Sequence, residues 1–197
     1  MPIPEITIIQ EDDSNKRVWD LDVPIIQDKN SNKIKVYLNG AIEEPSIYNE
    51  LCYLLQEAGK KDEIHIYLNT PGGVVDSAIM IANAIRNSKA KIIGHLSGTV
   101  ASAGTLISMA CTELKVEEHL AFMIHNYSGT MGGKGNEMKA RQQFMDKSIT
   151  KAFKDYYKDF LSENEINEVV EGKDIWLDTK DVVKRWNTKL NYLKGKA

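Results

Sequence analysis

The sequence predicts an α/β fold made of repeated strand–turn–helix units with parallel strands. Three strand-like stretches, IKVYLN, IHIYLN and KIIGHLSG, are each followed by glycine or small residues and then by apolar residues at helical spacing. Parallel strands must be joined by crossover connections, and a helix is the usual one. This alternation therefore predicts a parallel sheet covered by helices.

The elements follow one another in a regular order after an uncertain start. Residues 1–35 mix short apolar runs with the turn formers EDDSNKR and QDKNSNK, which is typical of an arm or hairpin, and residues 36–197 are expected to form a single domain. The elements expected in it are a strand at IKVYLNG, a helix from Glu44 to Ala58, a strand at 64–69, a helix from Val75 to Arg86, a strand at 91–98, a small-residue helix from Ser102 to Cys111, a strand at 120–125, a long amphipathic helix at 136–160, a short helix with a Ser162/Glu165 capping box, and a closing strand and helix capped near Asp178 or Thr179.

Composition and charge exclude several classes of protein. The 25 basic and 28 acidic residues are spread along the chain, so no basic surface for nucleic acid or anionic lipid is expected. No apolar run reaches the roughly 20 residues of a membrane span, and the N-terminus does not follow the order of a signal peptide. Cys52 and Cys111 lie far apart, which favours two buried thiols over a disulfide or a zinc site. We therefore predict a cytoplasmic protein that requires no metal or cofactor.

Candidate chemical groups follow three of the predicted strands, at the sheet edge where functional loops of α/β folds lie. Ser102 begins a helix among small residues, where the positive end of the helix dipole favours an attacking alkoxide, although an N-cap serine has the same position. Gly72 and Gly73 form either an ordinary tight turn or a backbone-amide site for a developing oxyanion. In the second interpretation the amides of Gly73 and Ala103 act together.

His125 ends an apolar strand and precedes a glycine-rich segment, so its imidazole is expected at the sheet edge. A histidine there could be structural, or it could act as the general base for Ser102. The other three histidines are assigned no chemistry. Six acids that follow His125 could orient its ring, and their spacing does not choose among Asp146, Asp155, Asp159, Asp174, Asp178 and Asp181.

These residues resemble the family of Clp protease proteolytic subunits, the ClpP family of serine peptidases with the ClpP/crotonase-like fold. The similarity runs from about Val36 to Trp186. It includes YLNTPGG as strand and turn, GTVASAG as nucleophile segment, MIHNYSGTMGGKG as histidine strand with a glycine-rich segment, and GKDIWLDTKDVVKRW as closing stretch. The resemblance implies a handle at about 126–160, formed by the long helix and a glycine-rich strand.

The same resemblance implies the roles of the candidate residues and the assembly. Ser102 would be the nucleophile, His125 the base, Asp174 the orienting carboxylate, and the Gly73 and Ala103 amides the oxyanion hole. The protein would hydrolyse unfolded polypeptides inside heptameric rings or stacked tetradecamers, with an AAA+ unfoldase as a further expected partner. The expected ring contact consists of Met138, Phe144, Met145, Ile149 and Phe153.

Two alternative functions remain open from the sequence. One is a crotonase-type acyl-CoA enzyme, whose paired amides would stabilise an enolate. The other is a non-catalytic ring or scaffold subunit. The chain also departs from the usual family pattern at Ala103, where a methionine is common, at Ile175, where an arginine is common, and in its first 35 residues.

Overall fold

A computed structural model gives the fold of residues 6–8, 23–28 and 31–194, and the description below concerns these residues. A 3-10 turn at Pro45–Tyr48 precedes the first helix. The strands and helices are β1 (Ile6–Ile8), β2 (Ile25–Asp28), β3 (Lys33–Asn39), α1 (Asn49–Glu57), β4 (Glu63–Thr70), α2 (Val75–Asn87), β5 (Lys91–Ala101), α3 (Ala103–Ala110), β6 (Glu113–Val116), β7 (Ala121–Ile124), α4 (Gly135–Tyr156), α5 (Glu163–Val170), β8 (Ile175–Leu177) and α6 (Thr179–Lys194).

The strands form one sheet in the order β1-β2-β3-β4-β5-β7-β8, and β6 also pairs with β5. The pairs β3–β4, β4–β5, β5–β6 and β5–β7 are parallel, which confirms the predicted α/β class. The outer pairs β1–β2, β2–β3 and β7–β8 are antiparallel and were not expected from the alternation of elements. Short connections explain the difference for β2–β3, since four residues suffice for a hairpin and not for a crossover.

One face of the sheet forms the core. In β3 the side chains of Ile34, Val36 and Leu38 are buried, whereas the residues between them are exposed or half-buried. This alternation follows from the two-residue period of a strand. Apolar residues of α1, α2 and α3 belong to the same buried cluster, which also takes in Phe153 and Tyr157 near the end of α4. The carboxyl-terminal ends of the strands therefore lie at the border of one continuous core.

The long helix agrees with the prediction, whereas the glycine-rich segment before it does not. Helix α4 covers 135–156, close to the predicted range, but residues 126–134 belong to no strand. A strand needs a partner edge for its backbone hydrogen bonds, and within the described part of the subunit this segment has none. The handle in this structure is therefore a helix with an irregular glycine-rich segment.

The expected ring contact on α4 is only partly exposed. Ile149 and Phe153 are 2% and 4% exposed, so their assignment to a surface between subunits was wrong. They pack within the subunit because α4 lies with its C-terminal half against the core. Phe144 is 69% exposed and remains available for contact with another molecule.

The N-terminal region joins the main sheet at β2 and β3. Ile25 and Ile34 are buried in the common core, although both precede the expected boundary at residue 36. That boundary stays a prediction, because most of the expected arm, residues 1–5, 9–22 and 29–30, lies outside the described residues. Among the helices described, none is long and apolar enough to cross a membrane.

The buried residues include both cysteines. Cys52 on α1 and Cys111 at the end of α3 are free thiols within the core, as the sequence predicted. Burial raises the pKa of the Cys111 thiol to about 12, so this side chain stays protonated and unreactive at neutral pH.

The face of the sheet opposite the core carries a row of aromatic and imidazole rings. Tyr67 stacks between Tyr37 and His95, with ring centroids 4.7 Å and 4.3 Å apart. His65 Nδ1 lies 2.8 Å from His95 Nε2, and His65 Nε2 lies 2.8 Å from a carboxylate oxygen of Glu63. Because the Glu63 carboxylate accepts a hydrogen bond from His65 Nε2, the Nδ1 atom of a neutral His65 carries no proton. This Nδ1 atom accepts a hydrogen bond from His95 Nε2. Burial, together with His65 and Lys115, lowers the pKa of His95.

The lowered pKa of His95 predicts a loss of stability in mild acid. The imidazole of His95 binds a proton near pH 6.5 in the unfolded chain and only at lower pH in the folded protein. The free energy of unfolding should therefore fall as the pH drops below 6.5. His95→Gln keeps a polar side chain that does not titrate, and should flatten this dependence. Urea unfolding at pH 7.5 and 5.5 measures it.

His119→Asn is a suitable control for this comparison. His119 is exposed at a positive φ of 61°, a conformation that asparagine tolerates. This variant should keep the pH dependence of the original protein. An equally steep dependence in His95→Gln would show that other groups cause the loss of stability.

Candidate active site

Ser102 lies at a sharp turn from strand to helix. Strand β5 ends at Ala101 and helix α3 begins at Ala103, so one residue makes the whole change of direction. Ser102 does so with φ 53° and ψ −124°, a conformation that is rare for a residue with a side chain. It has the N-cap position, but its side chain makes no capping hydrogen bond. The alternative that Ser102 serves as a capping serine for α3 is therefore not supported.

The pairing of β5 with β7 brings His125 to Ser102. The two strands are parallel, with Ala101 opposite Met123, and the Ser102 amide donates to the Met123 carbonyl over 2.8 Å. His125 follows β7 directly, so its imidazole lies at the same sheet edge as the turn. Its Nε2 is 2.7 Å from Ser102 Oγ, which is hydrogen-bond distance. Both side chains are half-buried.

A buried hydrogen-bond chain holds the Ser102 turn from the core side. The Thr105 hydroxyl donates to the Ser102 carbonyl over 2.6 Å and lies 2.6 Å from the Tyr157 hydroxyl. Because the single proton of Thr105 goes to Ser102, the Tyr157 hydroxyl is the donor in the second bond. Burial raises the pKa of Tyr157, so it remains a donor. The serine turn is thus tied to the end of α4.

The Pro71-Gly72-Gly73 turn packs directly against this serine. A β-carbon at Gly72 would lie 2.5 Å from Ser102 Cβ, and one at Gly73 would overlap the Ile42 carbonyl oxygen. Both glycines have positive φ angles of 99° and 149°. The turn therefore needs glycine for close approach as well as for backbone conformation. The buried Thr70 hydroxyl, which accepts from the Gly72 amide over 3.0 Å, helps to shape it.

The orientation of the Gly73 amide follows from the bonds around it. The Gly72 carbonyl accepts from the Ile42 amide, and the Ile42 carbonyl accepts from the Val74 amide, both over 2.8 Å. A trans peptide has its C=O and N–H on opposite sides, so the Gly73 N–H points away from Ile42. No acceptor for it occurs among the described residues. Ala103, as the first residue of α3, also has an N–H outside the helical hydrogen bonds.

Asp174 lies beside His125 without a hydrogen bond to it. Strand β8 is antiparallel to β7, with Ile124 opposite Ile175, so continuing the register sets His125 opposite Asp174. Asp174 is exposed, and within the described chain no hydrogen bond joins it to His125. The structure thus brings Ser102 and His125 into contact, and among the described residues it shows no hydrogen bond between His125 and Asp174.

Two of the other acids that the sequence offered accept hydrogen bonds elsewhere. Asp178 caps α6 by accepting from the Asp181 amide over 2.9 Å. Asp146 accepts from the Tyr127 hydroxyl over 2.5 Å. None of the hydrogen bonds among the described residues joins His125 to any of the six acids. The backbone register favours Asp174 among them.

A cleft of about 510 Å³ opens beside Gly73. It lies between the glycine turn and α4, and its walls include Ile42, Gly73, Tyr127, Met145 and Ile149. A larger cavity of about 590 Å³ between the end of α4 and α5 contains neither Ser102 nor His125. Neither Ser102 nor His125 lines the cleft either, but the cleft reaches the glycine turn that packs against Ser102.

The sequence analysis missed several residues that shape the site. Thr70, Thr105 and Tyr157 contact the two turns from the core, and Tyr127 lines the cleft. Nothing in their local sequence distinguishes them from ordinary core or loop residues. Their positions follow only from the packing of α3 and α4 on the sheet.

Comparison with known proteins gives a consistent family. The family model described as Clp protease matches residues 24–185. An ATP-dependent Clp protease proteolytic subunit of Lactococcus lactis subsp. cremoris is 28% identical over 134 residues, which is 66% of this chain and 63% of that protein. The protein of the same name from Streptococcus suis is 29% identical over 131 residues, or 64% of each chain. The alignments thus span less than two thirds of these relatives. By the extent of the family match, the chain belongs to the Clp protease family.

Proposed function

We propose that the protein is a serine endopeptidase that cleaves peptide bonds through an acyl-enzyme. The observation that carries this proposal is the 2.7 Å contact between His125 Nε2 and Ser102 Oγ at a strained strand-to-helix turn. Such a turn exposes a nucleophilic oxygen at the top of a sheet, and strain of this kind is common at functional sites. Membership of the Clp protease family supports the same reaction.

In the proposed reaction His125 moves the protons. Its Nε2 accepts the Ser102 hydroxyl proton as Oγ attacks the carbonyl carbon, and then gives that proton to the leaving amine. The acyl group stays on Ser102 until water, deprotonated by the same nitrogen, attacks it. Free enzyme is regenerated when Ser102 Oγ takes the proton back.

The negative charge that develops on the carbonyl oxygen is assigned to two backbone amides. The Gly73 N–H points away from Ile42, and the Ala103 N–H is at the positive end of α3. Fixed N–H donors of this kind stabilise an oxyanion more than the neutral carbonyl. A backbone donor does not depend on the side chain, so alanine at position 103 is compatible with this role.

Asp174 is the proposed orienting carboxylate. Its support is the register of β7 and β8, which ends with Ile124 opposite Ile175 and, if continued by one residue, pairs His125 with Asp174. To accept from the imidazole Nδ1, its side chain has to turn toward the ring. This turn is a rotamer change at an exposed residue and needs no change in the sheet.

The substrates and partners belong to the same proposal. Unfolded polypeptides would enter the cleft beside Gly73, inside rings of seven subunits or two stacked rings. The relatives are named ATP-dependent, so an AAA+ unfoldase is the proposed energy-consuming partner. The proposed location is the cytoplasm. The exposed Phe144 on α4 is the proposed contact between subunits.

A fluorophosphonate probe tests the nucleophile. The protein should be labelled at Ser102, with the site mapped by mass spectrometry, and both Ser102→Ala and His125→Ala should abolish labelling and peptide hydrolysis. Both variants should keep the oligomeric state of the original protein. Labelling at another serine, or none in folded and assembled protein, would contradict the proposal and favour a scaffold subunit.

The strained turn predicts a difference between two substitutions of the same residue. Ser102→Ala keeps the unfavourable φ of 53°, whereas Ser102→Gly relieves it. Glycine also raises the conformational entropy of the unfolded chain, which offsets part of this gain. On balance Ser102→Gly should be more stable than Ser102→Ala by about 1 kcal/mol. Urea unfolding measures this difference. A less stable glycine variant would show that the turn stores no strain.

The proposed ring contact can be tested at Phe144. Phe144→Ser removes an exposed apolar side chain and should weaken assembly, seen by analytical ultracentrifugation, without lowering the thermal midpoint of the dissociated subunit. Tyr53→Ser on α1, a residue 67% exposed, is the matched control and should assemble normally. Unchanged assembly of Phe144→Ser would remove this residue from the contact.

A further inference from the structure

The chain that leaves β7 after His125 is held by a side-chain contact to α4. Tyr127, two residues after His125, donates its hydroxyl to Asp146 Oδ1 over 2.5 Å. This hydrogen bond and partial burial raise the pKa of Tyr127, so the hydroxyl keeps its proton at neutral pH. The Tyr127 ring packs against the core, while its hydroxyl reaches the outer side of the helix. The contact joins the histidine segment to the middle of α4.

A second contact fixes the residue between His125 and Tyr127. Asn126 Nδ2 donates to the Val170 carbonyl at the end of α5 over 2.8 Å, and Asn126 Oδ1 accepts from the Tyr127 amide over 2.9 Å. The short segment 125–127 is thus attached to two helices. Beyond it, residues 128–134 are exposed and contain three glycines.

These contacts matter because His125 lies just beyond the paired residues of β7. Among the described residues its hydrogen bond is the one to Ser102, and Asp174 makes none with it. The position of Nε2 therefore depends on the backbone of its own segment. A shift of about 1 Å in that backbone is enough to reduce the rate of a reaction that needs aligned groups.

We propose that Tyr127 and Asp146 are a positioning pair for His125, which fixes the histidine segment to α4 so that Nε2 stays within hydrogen-bond distance of Ser102 Oγ. This inference rests on the proposed function of Ser102 and His125. It assigns neither residue a contact with the reacting atoms. It gives α4 a direct role in aligning the site.

The experiment measures the rate of fluorophosphonate labelling at Ser102 in full-length variants. Tyr127→Phe removes the hydroxyl and keeps the ring, and should slow labelling about tenfold, as expected for the loss of a hydrogen bond to a charged group. Asp146→Leu removes the acceptor and should have the same effect. Asp146→Asn keeps an accepting oxygen and should label within about threefold of the original rate.

Additional measurements distinguish positioning from general destabilisation. The double variant Tyr127→Phe/Asp146→Leu should be no slower than either single variant, because both remove one interaction. In peptide hydrolysis the loss should occur in kcat, with KM unchanged. Tyr156→Phe is the matched control, since it removes a tyrosine hydroxyl that bonds to Asn83 over 2.9 Å, and its labelling should be normal.

Three results would overturn the inference in different ways. Normal labelling of both the original protein and Tyr127→Phe would remove the positioning role and leave the proposed function intact. If the labelling rate of the double variant fell by the product of the two single losses, Tyr127 and Asp146 would not act as a unit. Absence of labelling in the original protein would instead overturn the proposed function, and the positioning role with it.

Discussion

The site depends on one geometric constraint, the direct passage from β5 into α3 at Ser102. No loop residue separates the strand from the helix, so the turn has to be made at a single α-carbon. That α-carbon takes a backbone conformation that costs on the order of 1–3 kcal/mol for a residue with a side chain. The cost is offset because strand pairing on one side and helix packing on the other fix both ends of the turn.

The surrounding residues are small because this turn leaves them little room. Gly72 approaches Ser102 so closely that a methyl group would not fit. Gly104, two residues into the same turn, leaves no room for a β-carbon beside the Thr70 methyl group. The two segments can therefore pack backbone against backbone, and this packing sets the amides of Gly73 and Ala103 at the same sheet edge. The cluster of small residues read from the sequence is thus a packing requirement of the turn.

The sequence was sufficient for features whose cause is local. The order of elements, the parallel central strands and the capping box of Ser162 with Glu165 all follow from periodicity and short-range hydrogen bonds. The contact of Ser102 with His125 was also within reach, because residues that end neighbouring parallel strands meet at one edge. Antiparallel β8, the buried positions of Ile149 and Phe153, and the Tyr127–Asp146 contact depend on tertiary packing. Spacing along the chain carries no signal for them.

In the proposed mechanism two supports hold the imidazole of His125. On one side is Asp174, which follows the short helix α5 and directly precedes the edge strand β8. On the other is α4, whose N-terminal half carries exposed Phe144 and whose Asp146 holds Tyr127. Phe144 and Asp146 lie two residues apart on α4, and such positions face different sides of a helix, so Asp146 holds Tyr127 while Phe144 stays exposed. The proposed hold of α4 on the segment that carries His125 passes through Tyr127.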